Sequence, residues 1–163
     1  MPKTVGLNVM ESALFLGITL ALFFLTSANT ALAQASRELA IDKQVAALIE
    51  KTLEAKNEEQ AFSDLEGLEC AAIPAIINRM DDRRKLPDPH ISLRNKTTGT
   101  FDAIRQYGPQ VVVDALAAIL NQITGRQFGF IYNGATEVER TKTIHGWRNF
   151  LSKTPEAKLC GNI

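Results

Sequence analysis

"LNQITGRQFGFIYN", residues 120–133, begins as an apolar helix and becomes something else within a few residues. Phe128, Phe130 and Tyr132 alternate with Gln127, Gly129 and Ile131, a period-two pattern that by itself reads as a strand. No other segment offers this stretch a convincing strand partner, and a lone strand cannot satisfy its own backbone polar groups. The stretch is therefore predicted to be a helix end. Gly125 should close the helix in a left-handed cap, after which Phe128 and Phe130 fold back over the core beside Trp147. Gly129 and Gly146 would allow close approach there.

Working outward, the helix that ends at Gly125 is apolar almost all round from Val111 to Ile123, the mark of a central, buried helix. Downstream, "TEVE" at Thr136–Glu139 fits a capping box and predicts a last helix from about Glu137 to Lys153, stopping before Pro155. Upstream, Thr100 is expected to cap a short helix from Phe101 to Tyr107, broken by Gly108-Pro109. From Asp81 to Gly99 no period is sustained, and two prolines among many charges predict a long loop.

Before the loop, helices are expected from Arg37 to Ala55, then from Asn57, a candidate cap, to about Gly67, and then from near Pro74 to Met80. Two parts of this array match each other. Phe62, Leu65 and Leu68 are spaced like Phe101, Ile104 and Tyr107, and Ile73, Ile76, Ile77 and Met80 like Val112, Ala115, Leu116 and Ile119. The offset is 39 residues throughout, close to the roughly 40-residue period of stacked helix pairs.

On these residues the chain resembles HEAT/armadillo-type repeat proteins. "FSDLEGLECAAIPAIINRM" is similar to one HEAT unit, with an amphipathic helix, a Gly-containing turn and an Ala-x-x-Pro opening to the second helix. "ITGRQFG", followed later by Trp147, is similar to the end of bacterial HEAT-like proteins. The resemblance implies an all-α fold, a short stack of antiparallel helix pairs over residues 57–153. It also implies a capping helix at 34–56, a tail at 154–163 and a function of presenting surfaces.

The N-terminus reads as an export signal. Lys3 precedes an apolar run from Ala13 to Leu25, and Ala31 and Ala33 place a cleavage site after Ala33, with Ala35 as second choice. Residues 1–33 are thus expected to be a signal peptide, leaving a periplasmic or secreted chain with no stable membrane span. The formal net charge is +0, and Lys3 and Glu11 cancel on cleavage. Neutrality argues against nucleic acid as a partner and against a polybasic membrane-surface protein. Cys70 and Cys160 both lie in the exported part, where an oxidising compartment permits a disulfide between them.

Chemistry is thin. His90 and His145 are far apart and fit no metal spacing, and no nucleophile–base pattern stands out, so neither a catalytic residue, a cofactor nor a metal is expected. The loop is locally basic, and Arg83, Arg84, His90 and Arg94 are the candidate binding residues, with guanidinium forks suited to carboxylates on another envelope or exported protein, or on an acidic glycan. Within it, Ile91 and Leu93 alternate and would pin the loop to the helices. Three functions stay open: a non-catalytic envelope protein that binds or scaffolds proteins, an inhibitor or immunity-type protein against an exported toxin or enzyme, and an envelope hydrolase.

Overall fold

The computed structural model describes the backbone of residues 10–94 and 104–160, and the side chains of residues 31–93 and 104–160. The chain divides into two units, one up to Leu39 and one from Ala40 onward. Helix α1, Met10–Lys51, contributes to both. In the first unit the described side chains from Ala31 to Leu39 are exposed, Ala33 and Ala35 among them. Among the described residues, no helix is long and apolar enough to cross a membrane.

The second unit is mostly helical. It contains the end of α1, then α2 (Glu58–Gly67), a 3-10 turn (Glu69–Ala72), α3 (Ile73–Ile77), strands β1 (Ile91–Arg94) and β2 (Ile104–Tyr107), α4 (Val112–Thr124) and α5 (Glu137–Lys153). The core is centred on α4, whose Val112, Val113, Leu116, Ile119 and Leu120 are all completely buried. Helices α2, α3 and α5 and strand β1 all pack on α4.

The expected ends of α4 and α5 are present. Gly125 closes α4 with φ +64°, and its N–H donates to the Asn121 carbonyl at 2.8 Å. The stretch after it forms no strand. Thr136 and Glu139 close the capping box of α5: the Thr136 N–H donates to Glu139 Oε2 at 2.8 Å, and the Glu139 N–H to Thr136 Oγ1 at 3.3 Å. Asn57 precedes α2 but makes no side-chain cap; its amide donates to Glu54 instead.

The cover over the core is real, though it uses a different residue. Phe128 meets Trp147 edge-on at 4.8 Å and Phe150 at 5.8 Å. Added Cβ atoms at Gly146 and Gly129 would lie 2.5 Å from Phe128 Cβ and 2.1 Å from Thr143 Oγ1, so both glycines let the segment seat against α5. Phe130 is 83 % exposed, contrary to its expected burial, and Ile131 is fully buried instead. The chain bends at Phe128, which breaks the period-two alternation, so Phe128 and Ile131 both face the core while Phe130 is left to solvent.

Two expectations are corrected between α3 and α4. The chain is not all-α, because β1 and β2 pair antiparallel, Ile91 opposite Tyr107 and Arg94 opposite Ile104. Residues 104–107 are therefore a strand and not part of a helix from Phe101, and Phe101 itself lies outside the described residues. The 81–99 segment is likewise not one loop, since its 91–94 portion is β1. Ile91 and Leu93 are 2 % and 1 % exposed and do pin the hairpin to the helices. The first half of the 39-residue repeat falls with this correction. Phe62 and Leu65 are buried on α2, whereas Ile104, the counterpart of Leu65, is 70 % exposed. The second half keeps its buried stripe, with α3 five residues long against thirteen in α4.

Cys70 and Cys160 form a disulfide with Cα atoms 5.5 Å apart, tying the tail to the turn before α3. The bond closes a sequence separation of 90 residues. Replacing both cysteines with Ser is expected to cost about 4 kcal/mol, since cross-linking so long a loop restricts the unfolded chain. Urea melts of the double variant against the oxidised protein measure this. Equal midpoints would show that the tail adds nothing.

Candidate functional site

The segment from Arg79 to His90, which leads into the hairpin, holds most of the residues expected to bind. Its backbone is committed first. The orphan N–H groups at the start of α4 need acceptors, and Val112 and Val113 donate to the carbonyls of Arg84 and Asp82 at 3.0 and 3.1 Å. Leu86 N–H donates to the Gln110 carbonyl at 3.2 Å, beside a bridge between Lys85 and Val111. The segment is thus the N-terminal cap of the central helix.

Its arginines are committed next. Arg84 grips Glu50 of α1 with two 2.8 Å hydrogen bonds and turns its remaining donors to Asp82. Arg79 holds both carboxylate oxygens of Asp42 at 2.6 and 2.8 Å. Arg83 Nε donates to Glu137 of α5 at 2.8 Å and its Nη1 to the Met80 carbonyl at 3.0 Å. Arg148 pairs with Asp81. The Arg79 and Arg84 contacts border a cavity of about 170 Å³ lined by Ala46, Ile49, Glu50, Arg79, Asp82 and Arg84.

The carboxylates register these partners. Hydrogen bonds from Arg79 and Arg84 hold Asp42 and Glu50 below the usual carboxylate range, and those from Arg83 and Arg140 do the same for Glu137. For Asp82 burial acts upward, and the Arg84 hydrogen bonds and charge outweigh it, leaving its carboxyl lowered. Each such group contributes stability that is present above its unfolded value and lost as the pH falls through its folded one. Since each pair keeps at least one member open to solvent, each contribution is small.

Of the four candidate binding residues, Arg83 and Arg84 are therefore paired inside the molecule, on different helices. His90 is exposed, its Nδ1 lying 2.8 Å from Asp88 Oδ1. The Arg94 backbone stands on β1 opposite Ile104, and its side chain lies outside the described residues. His145 is exposed on α5, on another part of the chain. Among the described residues no group of three His, Cys, Asp or Glu side chains could hold a metal ion.

What remains presented to solvent is β2. Ile104, Arg105 and Gln106 are all exposed, and β2 has β1 on one side and no described strand on the other. At its end, the Gly108 N–H donates to Asn133 Oδ1 at 2.7 Å, locking the 132–134 turn to the strand. An aromatic row follows: Tyr107 lies 5.6 Å from Tyr132, which lies 6.4 Å from the exposed Phe130. Burial, with the nearby Tyr107, pushes the Tyr132 phenol up to about 12, and its buried hydroxyl makes no hydrogen bond among the described residues. Tyr107 accepts from the Gln122 amide at 2.7 Å. Strand β2 escaped the sequence reading because its apolar residues, Ile104 and Tyr107, sit three apart, a spacing that also fits a helix. The alternation of Ile91 and Leu93 was the available signal.

No protein-family model, curated protein or solved structure matches the chain.

Proposed function

We propose that this is a non-catalytic exported protein that binds another envelope or exported protein, and that the β1–β2 hairpin is its contact surface. The observation that carries the reading is the exposed edge of β2 on a hairpin anchored by Ile91 and Leu93. An edge strand offers a row of backbone donors and acceptors to an extended segment of a partner. Anchoring the inner strand lowers the ordering cost of that contact. Arg105 has no carboxylate partner among the described residues, which favours a partner carrying an acidic side chain beside an apolar one for Ile104. Arg83 and Arg84 then serve the surface indirectly, by fixing the segment that leads into it.

The export signal belongs to this reading, as do the periplasmic or secreted location and the HEAT-like resemblance of residues 57–153. The inhibitor or immunity-type alternative uses the same surface and differs in its partner, an exported enzyme or toxin. The Asp88–His90 pair is the residue set that a hydrolase would draw on, and it stands open to solvent, at 63 % and 82 % exposure.

The test is photo-crosslinking in envelope extract with the reactive group at Gln106, against the same group at Lys153 on α5. A discrete adduct from Gln106 that disappears with Arg105→Glu supports the reading. Adducts that are the same from both positions, or indifferent to Arg105, overturn it.

A further inference from the structure

Glu58 stands in the first turn of α2, where a carboxylate ordinarily faces water and suits the helix dipole. Here it is 3 % exposed. Its Oε2 accepts the Asp88 N–H at 2.9 Å, and its Oε1 is buried without a hydrogen-bond partner among the described residues. Asp88 lies between Pro87 and Pro89, three residues before β1. Pro has no N–H, so Asp88 supplies the one backbone donor of this tripeptide. Beyond it, β1 packs on α2 and α4 through Ile91 and Leu93.

We infer that Glu58 is an ionisable latch: its protonated carboxyl holds the 87–89 turn, and with it the base of the β1–β2 hairpin, against α2, and ionisation loosens that hold. A buried carboxyl group with one bare oxygen costs less when neutral than when charged. Asp88 is the charged group that acts on it, and its negative charge adds repulsion. His90 sits beyond, on the Asp88 carboxylate, and Glu59 beside it on α2 faces solvent. Burial first, and the Asp88 charge with it, hold the Glu58 carboxyl above its ordinary 4.5, although the Asp88 N–H pulls the other way. The sign follows. A carboxyl raised in the docked state favours docking most in acid, and that advantage is lost as the pH rises through the docked value. The latch therefore opposes the arginine-paired carboxylates, which favour the fold above their unfolded values.

The latch stands without the binding reading, and only its effect on partner capture rests on that reading. Hydrogen exchange of the full chain tests it, following the Asp88 amide and the β1–β2 amides between about pH 4 and 8, from below the ordinary carboxyl value upward, with rates corrected for intrinsic base catalysis. Protection in the wild type is expected to fall as the pH rises across this range, as the docked, protonated form loses its advantage. In Glu58→Gln, which is neutral and of the same shape, protection should stay level. A carboxyl-carbon NMR titration of Glu58 in the wild type gives a second reading that needs no variant, and its midpoint should coincide with the loss of protection. Level protection in the wild type, an equal fall in Glu58→Gln, or a Glu58 midpoint at the ordinary value overturns the latch. Partner capture that ignores pH while exchange follows Glu58 overturns the surface assignment and leaves the latch standing.

Discussion

Trp147→Ala is expected to lower the unfolding free energy by about 3–5 kcal/mol, a large share of what a small domain has. Trp147 is 1 % exposed and has Phe128 at 4.8 Å and Phe150 at 5.9 Å, both edge-on. Phe128 cannot slide into the vacated space without dragging the extended segment that seats Ile131 and that Gly129 and Gly146 bring close to α5. The cavity would therefore persist, and persistence places the cost at the high end of the range. Arg126 over the Phe150 ring, 5.0 Å from its centroid, closes the outer side. Urea melts followed by circular dichroism measure the loss. A change under 1 kcal/mol would mean that the segment collapses freely and contributes little to the core.

Arg140→Met is expected to cost a similar amount, about 3–5 kcal/mol, for a different reason. Asp114 is completely buried, and Arg140 donates to both of its oxygens, at 2.8 and 2.9 Å. Asp114 also accepts the Gln110 and Val111 N–H groups at 3.1 and 3.4 Å, so its charge caps the start of α4. Removing the guanidinium strands that charge in the core. Its hydrogen bonds to Asp114, ahead of burial acting the other way, raise the Arg140 pKa further, so the cation persists at any working pH. Arg140→Lys keeps the charge and loses the planar fork, so it should recover part of the loss. Adding Asp114→Asn to Arg140→Met removes the stranded charge and should also recover part of it. If the double variant is no more stable than the single one, the cost comes from lost packing of the arginine stem.

Local features of this chain were legible in the sequence wherever nearby residues settle them. The Gly125 cap, the Thr136–Glu139 capping box and the all-round apolar α4 depend on residues within a few positions of one another, and each stands in the structure. The alternation of Ile91 with Leu93 likewise announced which side chains would anchor the segment. The tertiary structure decided what depends on a partner far along the chain. Residues 104–107 became a strand because β1, held by its two buried side chains, offered a ladder that outweighs a weak local helix preference. Ile131 took the place of Phe130 in the core because the chain bends at Phe128, and a period read along the sequence does not show where the backbone bends. The basic appearance of the 83–94 segment carried no count of its partners. Glu50 and Glu137 lie 34 and 54 residues from Arg84 and Arg83, so two arginines of the basic stretch proved paired within the fold. Charge is additive along a sequence, but its pairing is a property of the folded surface.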